Sequence, residues 1–211
     1  MPVPQSPAFR NATIRSRGLP RCGGCGLPDP LCICGELPEL TLATRIVLVV
    51  HHVETHKSTN TGRLFARMVK GVDVRVRGQL DAAPRAPRPE GRRLVLYPDG
   101  ARRCLQASDR SSDLVLVVPD GNWSQARRMI NRDPDLTDAE TVSLPPGPPS
   151  RYGLRRSPRP GTLSTFEAIA RAIGILEGEE IEYELMRGFD RFVERAKIVR
   201  QSGRSGGKIA L

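Results

Sequence analysis

The chain has 211 residues, enough to bury one substantial core with a small appendage, and carries 33 Lys+Arg against 23 Asp+Glu, a formal charge of +10. That excess favours a polyanionic partner, nucleic acid ahead of a membrane surface, while the longest apolar runs, Ile46–Val50 and Leu114–Val118, are too short to cross a bilayer. The opening residues lack the apolar stretch of a secretory signal, so the chain reads as cytoplasmic with reduced cysteines.

Residues 1–20 are rich in Pro, Ser and Arg and read as a flexible tail. Residues 21–40 hold Cys22, Cys25, Cys32 and Cys34 in the spacing C-x2-C-x6-C-x-C. Four thiolates so close, held by glycine and proline turns, can converge on a tetrahedral ion, and zinc suits a closed soft site. Two short disulfides or an iron–sulfur cluster are the alternatives. A reducing setting disfavours the first, and spacing unlike a ferredoxin's disfavours the second. Cys104 stands alone among arginines and reads as incidental.

Residues 41–200 read as one α/β domain, and residues 201–211 as a second flexible tail. Arg45–His51 is a buried strand running into a segment with His51, His52, His56 and Glu54. That spacing matches no helical metal motif, and His51 and Glu54 instead line the mouth of the sheet. Thr59 or Asn60 caps a helix over 61–70 with Leu64, Phe65 and Met68 inward. Val72–Val76 is a short strand, and the Pro/Arg-rich residues 77–92 form a mobile loop. Arg93–Tyr97 is another strand, ending at Pro98-Asp99-Gly100.

The organising stretch is Asp113–Arg132. Its apolar run Leu114–Val118 is the signature of a strand buried on both faces, and the turn Pro119-Asp120-Gly121 follows. From Trp123 the period changes to a helix with Trp123, Ala126, the stem of Arg127 and Ile130 on one side. Asp120, Asn122 and Trp123 therefore sit at the carboxyl end of a strand, where open α/β sheets hold ligands. The plain alternative makes Asp120 a turn residue, Asn122 an N-cap and Trp123 a core anchor.

Thr141–Leu144 reads as a short strand. The next loop carries Arg151, Arg155, Arg156 and Arg159, either as solvated charge or as a flexible phosphate clamp. Ser164 and Glu167 have capping-box spacing at the start of a helix whose free amides attract a carboxylate or phosphate. A last amphipathic helix spans about residues 179–200.

Taken together, several of these blocks resemble the DTW-domain family. They are the four cysteines; His51, Glu54 and Ser58-Thr59-Asn60-Thr61-Gly62-Arg63; Leu96-Tyr97-Pro98; Asp120-Gly121-Asn122-Trp123-Ser124-Gln125-Ala126; Arg151-Tyr152-Gly153-Leu154-Arg155; and Leu163-Ser164-Thr165-Phe166-Glu167-Ala168. They occur in the family's order over about residues 21–175. Asn122 stands where the family usually has Thr or Ser, keeping a donor and an acceptor. Members are tRNA-uridine aminocarboxypropyltransferases related in fold to the knotted SPOUT class. The resemblance implies a SPOUT-like parallel sheet with helices on both faces and a C-terminal knot, preceded by a small zinc knuckle built on the four cysteines.

It also implies transfer of the 3-amino-3-carboxypropyl group of S-adenosylmethionine to N3 of a tRNA uridine, releasing methylthioadenosine. Asp120 is then the candidate base, with burial raising its pKa or direct attack doing most of the work. Asn122 and Trp123 complete the catalytic set. Tyr97, Pro98, Asp120, Trp123, Leu144, Leu163, Ser164, Thr165 and Glu167 are the candidates for the donor. His51, Glu54, Asn60, Arg63, Arg127, Arg151, Arg155, Arg156 and Arg159 are the candidates for RNA. tRNA and S-adenosylmethionine are the expected partners, without a membrane, for a monomer or homodimer. A SPOUT-like RNA methyltransferase and a non-catalytic zinc-knuckle RNA-binding module are the alternatives.

Overall fold

The apolar run that begins at Leu114 extends through Pro119 to Asp120 as one strand, buried at every position. Such a strand needs cover on both faces, and the computed structural model supplies it. The structure describes residues 9, 20–79, 86–99, 101, 103–154 and 161–204, with side chains to 201. Strands β1 (Arg45–His51), β2 (Asp73–Arg77), β3 (Arg92–Leu96), β4 (Arg103–Cys104), β5 (Leu114–Asp120) and β6 (Glu140–Ser143) form one sheet in the order β2-β1-β5-β3-β6-β4. Every pairing is parallel, so the strands' carboxyl ends lie along one edge.

The helices are α1 (His52–Thr55), α2 (Thr61–Met68), α3 (Trp123–Arg132), α4 (Thr165–Glu177) and α5 (Glu179–Arg204). Strand alternation sorts them into two layers. Leu48, Val50, Leu116 and Val118 face Phe65 of α2, Ile169 and Ile173 of α4 and Phe189 of α5. Val47, Val49, Val115 and Val117 face Ala126 and Met129 of α3. The helices after β1 and after β5 therefore cover opposite faces. With β5 between β1 and β3, this is the reversal point at which an open sheet leaves a crevice.

One aromatic group braces the start of α4. Phe166 stacks on Phe189 at 4.9 Å between centroids and meets Phe65 edge-on at 5.7 Å. All three are fully buried, each contributing about 1.5–3 kcal/mol. The preceding Thr165 thus stands on a rigid base.

Some expectations change. The second strand starts one residue late, at Asp73, and α2 ends at Met68, where Val69 leaves the helix to bridge Leu40. Within the loop read as mobile, Pro87 accepts a hydrogen bond from Arg75 at 2.9 Å; residues 80–85 lie outside the described residues. Phe9, inside the stretch read as a flexible tail, is only 2% exposed, because its ring covers the Arg63 guanidinium at 4.6 Å. No described helix is long and apolar enough to cross a membrane.

Candidate active site

Asp120 ends β5 opposite Val50 of β1 and is 4% exposed. Its parity on the strand points it toward the α2 and α4 layer. Two helix starts meet it there. Asn60, the N-cap of α2, donates from Nδ2 to Asp120 Oδ2 at 2.6 Å, and Thr165 donates from Oγ1 to Asp120 Oδ1 at 2.6 Å. The amide orientation of Asn60 follows from its other atom, since Oδ1 accepts the Arg63 backbone N–H at 2.7 Å. A Cβ on Gly62 would lie 2.6 Å from Asp120 Oδ2, so glycine is what lets helix backbone pass under the carboxylate. Sequence reasoning assigns no separate role to Gly62 or to Thr61, whose Oγ1 accepts Phe166 N at 3.4 Å; their adjacency to the cap residue is the available signal.

Ser164 and Glu167 form the capping box at α4 as their spacing predicts. Glu167 is 1% exposed and does more than cap. Its Oε2 accepts from Ser164 N and Oγ and from Ser150 Oγ, and its Oε1 accepts from Arg151 N at 2.7 Å. Glu167 is therefore a latch between α4 and the loop at residues 150–151. The hydroxyls of Ser164 and Thr165 are likewise engaged inside the protein.

Asn122 caps α3 through a box with Gln125 and is exposed, so its acceptor oxygen serves the helix. Trp123 packs with the α3 layer, 5.7 Å between centroids from Tyr97, on the face opposite to Asp120. The plain readings of Asn122 as cap and Trp123 as core contact thus describe their immediate surroundings. Tyr97 is buried and extends the β3–β6 pairing by donating to Val142 O, while Pro98 is exposed. Leu144 and Leu163 are half-buried, Leu144 just past β6 and Leu163 before the α4 cap.

The residues read as RNA contacts divide sharply. Glu54, Asn60 and Arg63 are 0%, 1% and 1% exposed, so they do not face a polyanion. Glu54 pairs with Lys57, Asn60 holds Asp120, and Arg63 donates to Gly23 O at 2.7 Å and to Thr55 O. Desolvation pulls the Arg63 pKa down to about 10. His51 is half-exposed at the end of β1; its Nδ1 accepts Val53 N at 3.3 Å, and burial, then neighbouring His52, lowers its pKa. Arg127 is exposed on α3, and Arg151 is exposed beside Asp190 at 2.8 Å. Arg155, Arg156 and Arg159 lie outside the described residues.

The four cysteines converge. All four Sγ atoms lie within 4.8 Å of one another, with Cys22–Cys34 at 3.6 Å and Cys25–Cys32 at 3.8 Å. These separations far exceed a disulfide's and match the edge of about 3.8 Å expected for a tetrahedron with metal–sulfur bonds near 2.3 Å. A Cβ on Gly24 would come within 2.9 Å of Cys34 Sγ, so the cradle requires glycine. The hydrogen bonds of Cys25 and Cys34 to Cys22 drive its pKa far down, push Cys25 up to about 12 and raise Cys34 as well. The cluster can hold a metal ion.

The DTW domain model matches residues 19–197. The "tRNA-uridine aminocarboxypropyltransferase 2" of Macaca fascicularis is 29% identical over 170 residues, 75% of this chain and 57% of that protein. The protein of the same name from Drosophila melanogaster is 28% identical over 79% of this chain and 71% of its own length. "tRNA-uridine aminocarboxypropyltransferase A" of Arabidopsis thaliana is 26% identical over 78% and 76%. The chain spans only 57% of the macaque and mouse relatives. Among solved structures, the SAM-dependent rRNA:acp-transferase Tsr3 from Vulcanisaeta distributa superposes with TM-score 0.47 at 18% identity, covering 77% of this chain and 84% of that one. Since the family model covers most of the sequence, this chain belongs to the DTW domain family.

Proposed function

We propose that this chain transfers the 3-amino-3-carboxypropyl group of S-adenosylmethionine to N3 of a uridine in tRNA. The observation that carries the reading is Asp120, a buried carboxylate fixed by two helix starts at the reversal point of the sheet. Family membership and the names of the relatives support the choice of reaction. Residues 21–40 are the zinc knuckle, and residues 41–200 carry the reaction.

S-adenosylmethionine, when bound, supplies an electrophilic carbon already activated by its sulfonium. N3 of uridine forms the new N–C bond, the C–S bond breaks, and its electron pair neutralises the sulfonium, leaving methylthioadenosine. Asp120 takes the N3 proton, and its fixed orientation spares reorganisation at that step. Half-buried Leu144, which packs with the layer that Asp120 faces, and half-buried Leu163 before α4 offer apolar surface that suits the adenosyl and thioether groups. Cys22, Cys25, Cys32 and Cys34 would hold a zinc ion, and four thiolate ligands would make its role structural. Beyond Asp120, His51 and the exposed Arg127, with Arg128 and Arg132 on the same helix and Arg151 nearby in sequence to the arginine-rich loop, meet the RNA backbone.

The reading is tested with purified protein, S-adenosylmethionine and unmodified tRNA, following nucleosides and donor product by mass spectrometry. A uridine heavier by one aminocarboxypropyl group is the expected product. Methylated nucleoside with S-adenosylhomocysteine would overturn the proposal in favour of a methyltransferase.

A further inference from the structure

Three arginines surround the cysteine cradle, and none has a carboxylate partner among the described residues. Arg63 is 1% exposed and bonds only to carbonyls, those of Gly23 and Thr55. Arg67, one turn later on α2, donates to Cys34 O at 2.7 Å, and half-buried Arg21 donates to Gly26 O at 3.0 Å. Nitrogens on all three are buried without a partner: Nε of Arg21, Arg63 and Arg67, and Nη1 of Arg67. A buried guanidinium without an anion is costly. Four thiolates on one divalent ion would carry −4 + 2 = −2, an anionic counterpart for the guanidinium groups of Arg63 and Arg67 on α2, with half-buried Arg21 beside them.

The same residues lie on a continuous path to the reacting group. The cysteine loop's Gly23 O accepts Arg63 Nη1 at 2.7 Å, Arg63 N donates to Asn60 Oδ1 at 2.7 Å, and Asn60 Nδ2 donates to Asp120 Oδ2 at 2.6 Å. We propose that Arg63 is a positioning residue coupling the metal centre to Asp120. It balances the charge of the metal–thiolate group and thereby sets the start of α2, from which Asn60 orients the carboxylate. Arg67 shares the charge balance. The inference rests on the proposed function in taking Asp120 as the reacting group and the four cysteines as a zinc site, and a wild-type chain that binds no zinc would overturn it.

The test uses the full chain without tRNA or S-adenosylmethionine, so its failure is distinct from failure of the transfer reaction. Zinc affinity is measured by competition with a chromophoric chelator for the wild type, Arg63→Met, Arg63→Lys and Arg67→Met. Each methionine variant is expected to bind zinc about tenfold or more weakly, while Arg63→Lys, which keeps the charge, stays within about threefold. Lysine cannot reproduce the guanidinium fork between two carbonyls, so a purely structural role would lose affinity in both Arg63 variants. In parallel, amide exchange is followed in the wild type before and after zinc removal. Exchange is expected to quicken over residues 60–64 and to remain slow in β5. Wild-type zinc affinity in Arg63→Met, equal losses in Arg63→Met and Arg63→Lys, or unchanged exchange at the start of α2 after metal loss would overturn the proposal. If Arg63→Met does not fold, Arg67→Met and the wild-type exchange comparison decide.

Discussion

Asn60 and Asp120, sixty residues apart in sequence, meet at 2.6 Å at the carboxyl edge of the sheet. One side chain does two tasks there: its oxygen caps α2 and its amide holds the carboxylate. Asn60→Ser separates them, because serine still caps a helix but presents no amide to Asp120. Stability is expected to fall by about 1–3 kcal/mol, because buried Asp120 loses an amide donor while the cap survives, and transfer slows about ten- to a hundredfold through misplacement of the carboxylate. Thermal unfolding and single-turnover rates check the two halves. A variant as active as the wild type would remove Asn60 from the positioning of Asp120.

Gly62→Ala tests the same carboxylate from below. On an open helix the change would stabilise by about 1 kcal/mol. Here the new methyl would lie 2.6 Å from Asp120 Oδ2, so the carboxylate or the helix must move. The expected outcome is a folded protein with impaired transfer and no gain in stability, measured by denaturant unfolding beside activity.

How much of this was legible in the sequence depends on the range of each interaction. β5 was readable because five apolar residues in a row need cover on both faces, and the caps at Asn60, Asn122 and Ser164 because capping is local. The two Pro-Asp-Gly turns were not distinguishable. β5 continues through Asp120 because Val50 pairs with it, whereas β3 ends at Leu96 and leaves Pro98 and Asp99 exposed. Placing Trp123 at the strand end was correct, but its packing on the face away from Asp120 depends on where α3 docks. Arg63 misled for a different reason. Arginine in a basic chain reads as an exposed phosphate contact, and nothing local announces a buried guanidinium.

Glu167→Gln probes the latch. Three donors converge on Oε2 and a fourth meets Oε1, so either orientation of the glutamine amide sets an N–H group against a donor. Destabilisation of about 1–3 kcal/mol is expected, with faster amide exchange at Arg151 and Tyr152. Denaturant unfolding and exchange measurements check it; a neutral variant would mean that the latch carries little energy.

His51 gives a pH signature. Burial, then the charge of His52, lowers its pKa from the ordinary 6.5, and its Nδ1 must stay unprotonated to cap α1. The unfolded chain therefore binds this proton more readily, so its contribution is full above about pH 6.5, is lost as pH falls toward the lower folded value, and changes no further below it. His51→Asn, which caps without titrating, is expected to flatten the fall in stability below about pH 6.5. An unchanged profile, or an NMR titration of His51 at or above 6.5, would contradict this.

The central claim concerns which carbon leaves sulfur and which group receives the proton. The most direct measurement incubates the protein and tRNA with S-adenosylmethionine labelled either in its carboxyl carbon or in its methyl carbon, with Asp120→Asn alongside. The account predicts that only carboxyl label enters uridine, that methylthioadenosine is released, and that Asp120→Asn loses about two orders of magnitude or more in rate. Methyl label in the RNA, or a fully active Asp120→Asn, would contradict it.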